Sequence, residues 1–239
     1  MKQSEKTKIT RNKILKSAIA EFGEKGYDNS SINIICSKNN ISKGLIYHNF
    51  KSKDELYLLV VRECFNELIE YMKKGEYSQK NTWKDLEKAI TLRQEFFNKN
   101  INYRNIFFEA VLTPPSHLIE EIHAIKKELE DFNIEIFKEL LKDIKLKKGI
   151  TEEMAISYFL IYQEMFNLYF EKKTNTSKNL KEISSEHDLN LLPILNIMLY
   201  GIAEETNKNT IEGCNTAILF WTFKLLFVNS VLTSLNLFS

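Results

Sequence analysis

Lys43, Gly44, Tyr47 and His48 are the residues of this 239-residue chain whose types and spacing best suit contact chemistry. In a helix they share one side at about 100° per residue, with Leu45 and Ile46 on the other. A lysine ammonium donates to guanine acceptors or phosphate. A tyrosine hydroxyl or an imidazole bonds phosphate oxygens, and a glycine lets the helix backbone come close to a partner. The four lie in S-I-N-I-I-C-S-K-N-N-I-S-K-G-L-I-Y-H-N-F, residues 31–50. Its first half places Ile32, Ile35 and Cys36 at i, i+3 and i+4 behind Ser31, whose hydroxyl can cap a helix. Asn39 and Asn40 end that helix, because Asn tolerates the left-handed conformation, and Ser42 can cap the next one. About three residues of turn remain, the helix-turn-helix arrangement used for DNA. A capped amphipathic pair also fits any small helical bundle, so the pair alone leaves both readings open.

Other chemistry finds less support. His117 with Glu121, or Glu120 with His123, has the helical spacing of a shared metal site. However, the two histidines are about 240° apart on the wheel, and acidic residues early in a helix are explained by its dipole. No metal or cofactor is expected. There is no Gly-rich phosphate loop and no histidine spaced to activate a Ser or Cys, so no enzyme activity is expected.

The flanks of the turn are more specific. Upstream stands T-R-N-K-I-L-K-S-A-I-A-E-F-G-E-K-G-Y, residues 10–27, and downstream K-S-K-D-E-L, residues 51–56. With residues 31–50 they resemble the TetR family of transcriptional regulators over roughly the first 60 residues. Cys36 and Asn40 depart from the family's usual Ala and Gly, but both still permit close packing and a turn. The resemblance implies an all-α protein in which an N-terminal three-helix bundle, residues 1–51, binds DNA. A larger helical part, residues 52–239, binds ligand and dimerises. It implies that Ser42, Lys43, Gly44, Tyr47 and His48 enter the major groove, while Ser31 and Lys53 meet phosphate at helix N-termini, where anions are favoured.

The resemblance further implies a ligand-responsive homodimer that represses transcription from a palindromic operator and responds to a small hydrophobic or aromatic inducer. The other reading is a helical interaction module with no DNA role. Aromatic residues in the middle helices, including Phe96 and Phe97, are candidates to line an inducer pocket. The expected pocket residues are Cys64, Trp83, Tyr103, Phe107, Phe108, Tyr162 and Phe166. Phe166, Phe220, Trp221 and Phe227, in segments apolar almost all round, are the expected subunit interface. Lys224 inside the last segment would cost about 2.5 to 3.5 kcal/mol in a bilayer, so burial between subunits is expected rather than a membrane span.

Composition bounds the rest. The net charge is +1, but residues 1–55 carry net +5 and the remainder net −4. The positive excess therefore sits with the helix-turn-helix, as suits a surface meeting phosphates. With 44% hydrophobic residues the chain can bury a large core. Cys36, Cys64 and Cys214 are odd in number and flanked by apolar residues, which suggests reduced thiols in a cytoplasm. The first residues, M-K-Q-S-E-K-T-K, lack an apolar signal region, so the chain is expected to stay inside the cell.

Periodicity and punctuation predict about ten helices and no strand. Residues 1–8 read as a frayed tail that can reach the DNA backbone, and residues 9–25 as a helix ended by Gly26, with Tyr27 sealing the small core. Ser52 and Glu55 form a capping box for a helix over 52–74, the only long connection expected between the recognition helix and the ligand region. Its residues Leu59, Cys64 and Leu68 are placed to pass a ligand signal to the DNA-binding end. Helices are predicted over 82–100, 103–112, 116–147, 151–172, 186–207 and 209–235, with residues 173–185 a polar loop.

Overall fold

The computed structural model describes residues 3–38, 40–75, 77, 82–176 and 179–202, with side chains from Ile9 onward except those of Thr82, Trp83 and Ile202. The helix predicted over 209–235, with Cys214, Phe220, Trp221, Lys224 and Phe227, lies outside the described residues. Within them are nine α-helices, one 3-10 turn and no β-strand. The helices are α1 Gln3–Asn29, α2 Ile32–Lys38, α3 Lys43–Asn49, α4 Lys53–Lys73, α5 Thr82–Lys99, α6 Ile101–Leu112, α7 Ile119–Leu141, α8 Glu152–Thr176 and α9 Leu180–Ile202.

The first three helices close over Ile14, Ala18, Phe22, Ile35, Ile46 and Phe50, all buried. Helix α1 starts at Gln3, so residues 3–8 are helical rather than a frayed tail. At Gly26 the backbone takes φ 73° and ψ 176°, a combination essentially confined to glycine, and one further turn follows to Asn29. Asn40 takes φ 50° in the turn between α2 and α3, the left-handed conformation expected there.

Helix α4 begins as the sequence requires. The Ser52 hydroxyl accepts from Glu55 N–H at 3.1 Å, and the Glu55 carboxylate reaches back to Lys51 N–H at 2.6 Å, so two otherwise orphan donors are satisfied. Its stripe of Leu56, Val60, Cys64, Phe65, Leu68 and Met72 is buried, and a single apolar cluster runs from Ile14 of α1 to Ile183 of α9. A second cluster joins Leu86 and Ile90 to Phe137, Phe159 and Leu199.

Helix α4 is not the sole link between the two ends of the molecule. Helix α6 is the most extensive neighbour of α1. A Cβ at Gly23 would lie 2.5 Å from Asn102 Cβ and 2.7 Å from Asn102 Cα, so only glycine admits this approach. Asn105 Nδ2 donates to Gly23 O at 2.8 Å, and Glu109 takes the N–H of Tyr27.

Three helices differ in extent from expectation. Helix α7 starts after a 3-10 turn, Ser116–Leu118, and stops at Leu141 rather than near 147. Helix α8, capped by the Thr151 hydroxyl on Met154 N–H at 3.2 Å, runs on to Thr176. Helix α9 starts at Leu180 and passes through Pro193. The polar stretch 173–185 is thus mostly helix: its polar residues form the wet side, while Ile183 and Ser184 are buried.

Candidate nucleic-acid interface and ligand region

Helix α3 is only seven residues long and depends on its neighbours for orientation. Ile46 is 1% exposed and anchors it, with Ile41 and Phe50 buried at either end. The Ser42 hydroxyl accepts from Leu45 N–H at 3.2 Å, and Phe50 N–H closes the last turn on Ile46 O at 2.8 Å.

The opposite side carries the expected residues. Ser42, Lys43, Gly44 and His48 are exposed, Tyr47 is 48% exposed, and a Cβ on Gly44 would meet nothing within 4 Å. The Lys43 ammonium stands 5.9 Å from the Tyr47 ring centroid. Leu45 corrects the helical-wheel reading: it is exposed, and only Ile46 of that pair packs inward. With so short a helix, one apolar residue suffices as anchor. Exposed Leu45 and Ile34 add apolar surface of the kind that meets thymine methyl groups.

Ser31 accepts from Asn33 N–H at 3.2 Å as the cap of α2, which leaves its hydroxyl proton free to donate. The Lys53 ammonium lies 4.3 Å from the Tyr27 ring centroid, at the start of α4.

Behind this surface is a polar junction that sequence reasoning missed. The Tyr27 hydroxyl donates a short hydrogen bond to Asp54 and lies 3.2 Å from His117 Nε2. This contact holds the Asp54 carboxyl below its usual range, while burial, with the Asp54 contact second, pushes the Tyr27 phenol up. His117, whose sequence spacing suggests only a metal ligand, meets Tyr27 and Asp54 instead; among the described residues no group of His, Cys, Asp and Glu is arranged to hold a metal. Deeper in, the Tyr57 hydroxyl donates to Glu109 at 2.9 Å, and burial raises the Glu109 carboxyl.

Six of the expected pocket residues lie in or against one core cluster. Cys64, Phe107, Phe108 and Phe166 belong to the first apolar cluster, with Tyr103 and Tyr162 packed against it. The Cys64 thiol donates to Tyr103 O at 3.2 Å, burial pushes it up, and Tyr103 stacks on Phe96. The side chain of Trp83 lies outside the described residues. An open groove of about 500 Å³ between α4 and α7 is lined instead by charged residues, including Glu70, Lys73, Glu128 and Asp131, and by none of the expected ones.

Phe166 is 7% exposed, enclosed by Tyr162, Phe170 and His187. It is therefore not available as a subunit contact. The outward side of α8 presents Met154, Tyr158, Ile161, Met165 and Tyr169, and α9 adds Leu189, Ile197 and Tyr200. Helix α8 reads as apolar all round because it has two apolar sides. No described helix is long and apolar enough to cross a membrane.

The profile of the bacterial regulatory proteins, tetR family, matches residues 14–60. The negative transcriptional regulator IcaR of the biofilm operon icaADBC in Staphylococcus epidermidis is 30% identical over 190 residues, covering 77% of this chain and 97% of that one. The fold is shared with SmeT, repressor of a Stenotrophomonas maltophilia multidrug efflux pump, at TM-score 0.58 and 16% identity over 82% of this chain and 91% of that one. It is also shared with FadR of Bacillus subtilis, solved with stearoyl-CoA, at TM-score 0.56 and 18% identity over 76% and 97%. With its helix-turn-helix built as described and its relatives regulators rather than enzymes, the chain belongs to the tetR family of DNA-binding transcriptional regulators.

Proposed function

We propose that this regulator is a cytoplasmic repressor that occupies a palindromic operator as a homodimer and leaves it when a small hydrophobic or aromatic molecule binds the helical part beyond residue 51. The observation that carries the DNA reading is the two-sidedness of α3. Ile46 is sunk in the core while Ser42, Lys43, Gly44, Tyr47 and His48 stand in solvent. Lys43, Tyr47 and His48 read or touch the major groove, and Ser31 and Lys53 hold phosphate.

A dimer is supported by the apolar outer side of α8 and α9, because contiguous exposed apolar surface of this kind marks an interface. Two protomers joined there present two recognition helices, which must stand about 34–36 Å apart to enter successive major grooves. Ligand control is supported by the aromatic convergence around Phe107, Phe108 and Phe166. Two routes lead from there to the DNA-binding end, α4 through Cys64 and Leu68, and α6 through Glu109.

Selection of bound duplexes from a random library tests the DNA reading. The expected result is an inverted repeat whose affinity falls steeply between low and high salt. Binding without sequence preference and with little salt dependence would instead favour a helical interaction module. Ligand control is tested by reciprocity. An inducer that weakens operator binding by about 5- to 150-fold must itself bind more weakly by the same factor when operator is present.

A further inference from the structure

Four helices of the C-terminal part bring their polar side chains into its interior. Arg93 of α5 donates to Asp188 Oδ1 of α9 at 2.7 Å, and Arg104 of α6 lies 3.1 Å from Asp188 Oδ2. One carboxylate thus faces two guanidiniums. Burial opposes ionisation of Asp188, but the Arg93 and Arg104 guanidiniums outweigh it and hold the carboxyl below its usual range. His187 is 4% exposed, and burial lowers its basicity, so the imidazole stays neutral. The cluster carries one positive charge more than it neutralises.

It also holds unused hydrogen-bonding capacity. Among the described residues, Arg104 Nε, Gln163 Nε2, the Tyr162 hydroxyl and His187 Nδ1 are buried without a hydrogen-bond partner; Nδ1 stands 3.9 Å from Asp188, beyond hydrogen-bond reach. Native proteins leave only a few buried polar groups unpaired, and each such group calls for an explanation. Three of them, on Arg104, His187 and Tyr162, are linked through a run of aromatic rings. Arg104 lies 5.7 Å from the Phe108 centroid and His187 5.2 Å from it. His187 is 4.7 Å from Phe166, and Phe166 is 5.7 Å from Tyr162.

Surplus positive charge, stranded donors and an aromatic surround together describe a receptor for an anion with an apolar body. Resting on the reading of the chain as a ligand-controlled regulator, we propose that the inducer is a small amphipathic carboxylic acid. Its carboxylate takes the free N–H of Arg104 and the O–H of Tyr162, and its apolar body packs against Phe108, Phe166 and Phe170. Asp188 orients both guanidiniums and leaves one of their two charges for the ligand.

The test is calorimetric titration of the full chain with naphthalene-2-carboxylate and decanoate, each against its neutral amide. The carboxylates should bind at least about tenfold tighter than the amides. Tyr162→Phe removes a hydroxyl with no partner among the described residues and so leaves the fold intact; it should weaken carboxylate binding several-fold and amide binding less, because a bond to an ionised acceptor is the stronger one. Arg104→Gln should abolish the preference. Equal affinity for acid and amide, absence of binding, or carboxylate binding unchanged in both variants would each overturn the proposal. Selected-duplex binding, measured on the same preparations, separates the two levels. If it persists while acids fail to bind, the regulator stands without this ligand class. If it is lost in the unaltered chain, the regulator reading fails as well.

Discussion

Glu109 accepts a hydrogen bond from the backbone N–H of Tyr27 at 2.7 Å, across 82 positions of sequence. Its other oxygen accepts from the Tyr57 hydroxyl at 2.9 Å, so one side chain of α6 secures both the end of α1 and the core of α4. Glu109→Ala strands both donors at a cost of about 1–3 kcal/mol each. The denaturant midpoint should fall accordingly, and operator affinity with it. A double-mutant cycle with Tyr57→Phe should show coupling between the two sites, and strictly additive losses would mean that the carboxylate does not act on Tyr57.

On DNA, Lys43 and Lys53 should separate. Lys43→Ala should cost about 1–3 kcal/mol on the operator and relax preference at one position, whereas Lys53→Ala should weaken all sequences alike and reduce the salt slope by about one. Fluorescence anisotropy with operator and scrambled duplex makes the comparison. Equal losses on both duplexes for both variants would refute the division into reader and anchor.

Neighbouring residues of α8 should also divide. Met165, 65% exposed, belongs to the outer apolar side, so Met165→Asp should dissociate the proposed dimer while leaving the protomer folded. Phe166→Ala should instead cost the protomer about 3–5 kcal/mol, as a large core truncation does. Sedimentation velocity and thermal melts of the two variants should therefore give opposite patterns. A monomeric Phe166→Ala of normal stability would return that residue to the interface.

The buried His187–Asp188 pair sets a pH dependence. Both groups titrate below their ordinary values, so the unfolded chain binds more protons and stability rises with pH. The His187 contribution is complete above its ordinary value of about 6.5 and is lost as pH falls through its lower folded value. The Asp188 contribution is complete above about 3.9 and is lost below that. Glu109, raised by burial, works in the opposite sense, its contribution declining as pH rises through its folded value. Urea midpoints measured from pH 7 to 5 should fall more steeply for the unaltered chain than for His187→Gln, and superimposable curves would assign the acid sensitivity elsewhere.

The helix-turn-helix was legible because its determinants are local. Ser42, Ser52 and Glu55 act within four residues of their partners, and the Ile32, Ile35 and Cys36 spacing needs nothing beyond one helix. The docking of α6 on α1 was not legible. It depends on Gly23, Asn105 and Glu109, a gap and two polar groups that leave no periodic trace and meet only in three dimensions. Arg93, Arg104 and Asp188 were equally hidden, since charged residues on helices normally mark solvated sides. Phe166 fits two places on sequence grounds because the composition of α8 shows that it has two apolar sides but not which one each residue joins.

The uninterrupted apolar cluster from α1 to α9, with Gly23 and Gly26 shaped to α6, bears on how such regulators diversify. Exchanging DNA-binding heads between relatives by splicing at residues 51 and 52 would cut through a seam whose two faces have been fitted to each other. A chimaera should fold well only if residues 102, 105 and 109 travel with the new head, so inheritance of operator preference is tied to a patch of α6, outside the helix-turn-helix.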